Sequence, residues 1–255
     1  MSGWDPTQYE KFKRERSQPF YDLLALVEKR PAMRVVDLGC GTGELTRALH
    51  DSLVAESTLG LDSSESMLAR STAYTTSGLR FEQRDIHSFQ EESQYDLVFS
   101  NAALHWIPDH KSLFARLAGA LRPGGQLAVQ MPANQEHPSQ SIARALAMES
   151  PYREAIADNN SRATLYTLAE YARLLFDLGF VRQTVRLQIY AHVLPSKDEV
   201  FEWVKGSTLT EFEQHLPADL FAQFREQYRA RLDAALDDAR PLLFPFQRLL
   251  LWGSR

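Results

Sequence analysis

Seven residues, Asp37-Leu38-Gly39-Cys40-Gly41-Thr42-Gly43, carry the sharpest chemical signal in the chain. They follow the β-branched pair Val35-Val36 and precede Glu44 to His50, where Leu45, Ala48 and Leu49 recur with helical spacing. Strand, glycine turn, helix is the expected order. Glycine has no Cβ and tolerates positive φ, so a ligand can lie against the backbone where the helix begins. A dinucleotide fingerprint G-x-G-x-x-G starting at Gly39 would need glycine where Glu44 stands, and its pyrophosphate would face both Asp37 and Glu44. An acid just ahead of the glycines suits a ligand carrying positive charge instead. A tight turn that binds nothing is the plain alternative, yet three spaced glycines after an acid exceed what turning alone requires.

Two further acids follow strands. Asp62 lies 19 residues beyond Gly43, in Gly60-Leu61-Asp62-Ser63-Ser64, at the end of the second expected strand. A carboxylate there accepts hydrogen bonds from both hydroxyls of a ribose, which makes a nucleoside the natural ligand. Ser63 or Ser64 equally suits the N-cap of the next helix. Arg84-Asp85-Ile86 follows the third strand and offers an acid and an apolar side chain where an adenine amino group and ring face could be held; Asp85 could as well cap a turn.

The elements that must hold these residues alternate. An amphipathic helix over 17–29, with Ser17 as N-cap and Pro19 in its first turn, precedes a strand at Arg34–Leu38. Strand and helix then recur at Ser57–Leu61 and Glu65–Ser71, and at Tyr95–Ser100 and His110–Leu121, with further strands at Leu79–Gln83 and Gly124–Met131. Such alternation predicts an α/β fold, a doubly wound, Rossmann-like, mostly parallel seven-stranded sheet. After Pro132 the rhythm changes: a late strand at about Phe180–Tyr190 and a last apolar run from Leu242 to Trp252 are separated by helical patterns. The chain reads as a single domain over 1–255, with 1–20, 133–166 and 196–239 as lid segments at the carboxyl ends of the strands, where ligands of such sheets bind.

At these residues the sequence resembles the class I S-adenosylmethionine-dependent methyltransferases, which share the acid-x-G-x-G-x-G turn and the acids after strands two and three. More narrowly it is similar to the trans-aconitate 2-methyltransferase family. The likeness is carried by Trp4-Asp5-Pro6 with Tyr9, Glu15-Arg16-Ser17 with Pro19, Asp37 to Gly43, and Leu61 to Ser64 with Met67. It continues through Leu104-His105-Trp106-Ile107-Pro108-Asp109-His110, Leu127 to Pro132 with Asn134, and Trp203-Val204 to Phe246-Gln247-Arg248. The resemblance implies S-adenosylmethionine as cofactor and S-adenosylhomocysteine as product. It implies Asp37, Gly39 and Gly41 around the methionine end, Asp62 on the ribose, Ser63 and Met67 beside the adenosine, Asp85 and Ile86 at the adenine, and Asn101-Ala102 beneath the sulfonium. The segment from Glu136 to Ala163 matches loosely at best, and the resemblance assigns no family residue to His105 or Arg162.

The acceptor implied is a small carboxylic acid, trans-aconitate first, giving a monomethyl ester. A carboxylate is already ionised near neutral pH, so no general base is required and catalysis is alignment and exclusion of water. Counter-charges and donors come from Arg16, Arg162 and Arg248 with Tyr9, His105, Tyr166 and Tyr228; Tyr9, Arg16 and His105 lie in the family-like blocks, and Trp106 would wall the pocket. Each arginine could be a solvated surface charge and Trp106 plain core. Three other readings stand beside this one. A hydroxyl or amine acceptor would need His105 as base. A nucleic-acid amino methyltransferase would show Asn/Asp-Pro-Pro-aromatic where Ser100-Asn101-Ala102-Ala103 stands. A non-catalytic S-adenosylmethionine-binding module would keep the glycine turn and transfer nothing.

Composition narrows the field. The chain has 255 residues, 44% hydrophobic and 24% charged, the make-up of a folded enzyme-sized unit. Its single cysteine, Cys40, excludes an internal disulfide and fits a cytoplasmic location. The net charge of −5, with charges scattered, argues against nucleic acid or anionic membrane as partner. The expected partners reduce to the small acid, with the protein a monomer or weak dimer. Dispersed histidines give no metal site, and no G-x-S-x-G elbow supports a serine nucleophile.

Overall fold

The computed structural model describes residues 13–156, 164–206 and 208–255; of 13, 14 and 16 only the backbone is described. Tyr9 and Arg162 therefore lie outside the described residues, as does the side chain of Arg16. The residues cluster into two compact units. One comprises the described residues of 17–133, 164–188 and 248–255; the other comprises those of 13–16, 134–156 and 189–247.

The larger unit follows the expected alternation: β1 (Arg34–Leu38), α2 (Glu44–Leu53), β2 (Ser57–Asp62), α3 (Glu65–Ser71), β3 (Leu79–Gln83), β4 (Tyr95–Asn101), α4 (His110–Gly119) and β5 (Leu121–Pro132). Ahead of them runs α1 (Lys13–Leu24), and β6 (Arg182–Leu194) and β7 (Leu242–Ser254) complete a seven-stranded sheet in the order β3-β2-β1-β4-β5-β7-β6. The pairs from β3 to β5 are parallel, and β7 lies antiparallel to β5. One face of the sheet buries Val36, Leu61, Val98, Leu127 and Val129 beneath Leu113, Leu117 and Tyr171. The other buries Val35, Leu97, Phe99 and Trp252 beneath Phe20, Leu23 and Leu49. Both faces are covered, which is why these strands read as near-continuous apolar runs rather than alternating ones.

Two expectations are corrected. The first helix starts earlier than Ser17 and ends at Leu24, so Pro19 sits inside it and not in its first turn. An interior proline loses one helical hydrogen bond, and burial of Phe20, Leu23 and Leu24 against the sheet outweighs that loss. The apolar pattern also does not predict α7 (Leu168–Asp177), at whose start Thr167 and Glu170 form a reciprocal capping box.

The second unit holds α5 (Pro138–Ala147), α6 (Tyr152–Ile156), α8 (Lys197–Lys205), α9 (Thr208–His215) and α10 (Ala218–Ala235) around Trp203, Phe224, Tyr228 and Phe244. The Tyr228 hydroxyl donates to the Ser139 carbonyl at 2.9 Å and the ring is fully buried, so Tyr228 is a core residue of this unit. Among the described residues no helix is long and apolar enough to cross a membrane.

Candidate active site

The carboxyl end of β1 opens into the glycine turn. Gly39 takes φ 78°, and a Cβ there would stand 2.2 Å from the Cβ of Ala103, so the turn packs against the segment leaving β4. At Gly41, φ is 56° and a Cβ would meet nothing within 4 Å, so this stretch of backbone faces open space. The amides of Gly39 and Cys40 both donate to the Leu61 carbonyl, at 2.8 and 3.0 Å, tying the turn to the end of β2.

Asp62 strengthens that tie. Its Oδ2 accepts from the Gly41 amide and its Oδ1 from the Ser64 amide, each at 2.9 Å. A carboxylate has about four acceptor sites, so two remain for a ligand's hydroxyls. Ser64 is the N-cap of α3, its hydroxyl accepting from the Met67 amide, while Ser63 stays exposed and offers its carbonyl to Gln83. Met67 is half-buried beside them.

Asp37 is buried, and its Oδ2 accepts from the Thr46 hydroxyl at 2.6 Å. Burial lifts its carboxyl to about 7; the Thr46 hydrogen bond works against that rise and the charge of Asp62 adds to it. A positive charge nearby would restore the ionised form, so the chemistry of this carboxyl fits a cationic ligand. Thr46 was not singled out from the sequence, though it stands three residues beyond Gly43 on the following helix.

Asp85 takes the plainer of its two expected roles. It caps the short turn Ile86–Ser88, accepting from the His87 amide and ring at 2.8 Å, and the backbone bond first of all holds its carboxyl below the ordinary range. It is exposed and Ile86 is half-buried, so a second oxygen and an apolar edge remain open to a ligand.

At the end of β4, Asn101 carries a buried Oδ1 with no hydrogen-bond partner among the described residues. Ala102 follows with φ 57°, a conformation an alanine adopts at a cost of about 1–2 kcal/mol, and its amide donates to the Gln130 carbonyl at 2.9 Å. The chain then makes a short turn at Leu104–Trp106, in which His105 is buried with its ring 4.7 Å from that of Trp106, itself 39% exposed. His110 fastens this turn. Its Nε2 stands 3.0 Å from the Leu104 carbonyl, which can only accept, so Nε2 carries the proton and Nδ1 accepts from the Tyr171 hydroxyl at 2.6 Å. Burial pushes the His110 imidazole below its usual value, in keeping with a neutral ring. Tyr166 packs against both His110 and Tyr171, with ring centroids 6.1 and 5.3 Å away.

On β7, Arg248 pairs in register with Pro132 and is only 7% exposed. Register pairing therefore brings Asn101, Gln130 and Arg248 to one face of the sheet, Asn101 and Gln130 at the carboxyl ends of β4 and β5 and Arg248 beside them, midway along the antiparallel β7. Gln130 belongs to the family-like stretch Leu127 to Pro132 but was not among the site residues expected from sequence. The buried carboxyl of Asp37, the open backbone at Gly41 and the unpartnered Asn101 oxygen together suit S-adenosylmethionine, with its sulfonium and ammonium groups.

Known proteins point the same way. A family model described as a methyltransferase domain matches residues 29–197. The trans-aconitate 2-methyltransferase of Deinococcus radiodurans is 42% identical over 256 residues, covering 99% of this chain and 98% of that protein. That of Methylobacterium nodulans is also 42% identical, over 259 residues, with 100% and 99% covered. A solved S-adenosylmethionine dependent methyltransferase from Mesorhizobium loti shares the fold at a TM-score of 0.53 and 24% identity, covering 94% of this chain and 98% of that one. This chain belongs to the methyltransferase-domain family, in its S-adenosylmethionine-dependent branch alongside the trans-aconitate 2-methyltransferases.

Proposed function

We propose that this methyltransferase esterifies a small carboxylic acid, trans-aconitate first, to its monomethyl ester. The observation that carries the reading is the likeness to trans-aconitate 2-methyltransferases along 99% of the chain, which includes the residues that follow β4 and β5 as well as the glycine turn. Bound to the protein, S-adenosylmethionine supplies a methyl group on a positively charged sulfur, and its loss to a carboxylate oxygen leaves S-adenosylhomocysteine.

In this reading Asp37 holds the cationic end through its charge, Gly39 and Gly41 let the ligand approach the backbone, and Asp62 receives the ribose hydroxyls. Ser63 and Met67 flank the adenosine, Asp85 and Ile86 hold the adenine, and Asn101 lies beneath the reacting centre. His105 and Trp106 position the acid, with Tyr9, Arg16, Tyr166 and Arg248 as further substrate contacts. The acceptor oxygen is already anionic at neutral pH, so none of these residues needs to remove a proton. Their work is alignment and the exclusion of water.

Incubation of the protein with methyl-labelled cofactor and trans-aconitate, followed by mass spectrometry, is expected to yield a base-labile monomethyl ester. Its rate at saturating cofactor should be flat from about pH 6 to 9, because the acid's carboxyl groups titrate near 4. A rate that climbs with the titration of a histidine would favour His105 as base and a hydroxyl or amine acceptor. Absence of any labelled product across related acids would leave a cofactor-binding module and sink the proposal.

A further inference from the structure

Two glutamines stand four residues apart on one face of β5, and neither has exposed surface. Gln126 is tied into the fold at both ends of its amide. Its Nε2 donates to the Glu28 carbonyl at 2.8 Å, and its Oε1 accepts from the Glu28 amide at 2.8 Å and from the Trp252 indole at 3.0 Å. Gln130, nearest the carboxyl end, makes no such bonds: neither Nε2 nor Oε1 has a partner among the described residues. Buried amides are nearly always satisfied, and an enclosed one with two idle ends destabilises the protein that carries it. A fold that engages both ends of Gln126 and neither end of Gln130 reserves the second for a ligand.

Its neighbours indicate what that is. Gln130 pairs in register with Asn101 on β4, whose Oδ1 is also enclosed and unpartnered, and with Leu250 on β7. Two residues along β7 from Leu250, on the same face, comes the buried Arg248. The row Asn101, Gln130, Arg248 thus runs away from the glycine turn on β1, crossing one strand at each step. At about 4.8 Å between strands, Gln130 is roughly 10 Å from β1, on the far side of Asn101 from the donor's turn. Along that row the side chains pass from amide to guanidinium, the sequence of groups that binds an anion bearing several carboxylates.

We propose that Gln130 is a specificity-determining residue whose amide N–H donates to a non-reacting carboxylate of the acceptor acid, on the side of that acid facing Arg248. This rests on the methyl-ester reading above and names the residue that selects the acid. Desolvated in advance, the amide gains its hydrogen bond only when the correct acid is present, and an acid lacking that carboxylate leaves it unpaired.

The test replaces Gln130 by Met, which keeps length and removes both polar ends, and by Glu, which keeps shape and repels an anion. For Q130M we expect a melting temperature equal to or above wild type, S-adenosylhomocysteine affinity within twofold by calorimetry, and a KM for trans-aconitate raised at least tenfold with a smaller change in kcat. For Q130E the KM should rise further. Should Q130M fold poorly, Q130E together with loss of the thermal shift that trans-aconitate gives the cofactor-loaded protein reads the same contact. An unchanged KM in either variant overturns the inference, as does a lower melting temperature with S-adenosylhomocysteine affinity and KM unchanged, which would mark a buried-water site. Cofactor affinity falling as far as KM rises overturns it too, since Gln130 would then serve the donor. A wild-type protein that makes no ester from any acid removes the functional reading beneath it, whereas an active wild type with unchanged variants removes this inference alone.

Discussion

Asp37 puts a buried carboxyl at the end of β1, beside the glycine turn. Burial holds it at about 7, well above the 3.8 of a free side chain, even with Thr46 donating to it. A carboxyl whose folded value is raised gives the native state its full contribution below about pH 4, and that contribution is lost as pH rises towards 7. The free protein should therefore lose melting temperature between pH 5 and pH 8, and Asp37→Asn should flatten that loss, as differential scanning calorimetry at the two pH values would show. Cofactor affinity should move the opposite way. Binding of S-adenosylmethionine to the wild type should tighten from pH 5.5 to 8 as Asp37 ionises, and the Asn variant should bind about tenfold more weakly at pH 8, a difference of about 1.4 kcal/mol. A pH-independent affinity by titration calorimetry would remove Asp37 from the cationic end of the ligand.

Between elements, the decisive contacts are those that close the glycine turn onto the segment after β4. Gly39 combines φ 78° with a Cβ position 2.2 Å from Ala103, so Gly39→Ala meets both backbone strain and overpacking. The loss of stability should be about 3 kcal/mol, readable from urea unfolding, and cofactor affinity should fall with it because the Gly41 face would be displaced. A variant as stable as wild type would show that the turn yields easily. The Leu104–Trp106 turn depends on a different joint, the chain from Leu104 through His110 to Tyr171 that links this turn to α4 and α7. Tyr171→Phe leaves Nδ1 of His110 unpaired in the core, a cost of about 1–3 kcal/mol. If the turn positions the acceptor, kcat/KM for the acid should fall about threefold to tenfold while S-adenosylhomocysteine affinity stays within twofold; equal losses in both would make the joint purely structural.

At the scale of the whole molecule, local signals account for the first half of the chain. The βα alternation, the glycine turn and the acids at 37 and 62 each depend on residues within a few positions of one another, where side-chain period and turn chemistry operate. The edges of α1 and the existence of α7 escaped the apolar pattern: Pro19 resembles a first-turn proline until the burial of Phe20 and Leu23 is seen to carry the helix past it, and the Thr167–Glu170 box had to be read as a cap. The sequence by itself determined the fold class and the strand, glycine turn and helix from Val35 to His50, because those are written in contiguous residues. Only the tertiary structure decided that Tyr171 meets His110, that Arg248 is buried on the strand next to Gln130, and that Gln126 is satisfied while Gln130 is not. Those facts follow from the register of strands and the packing of helices up to 126 residues apart, and neither a period nor a propensity carries information over that distance.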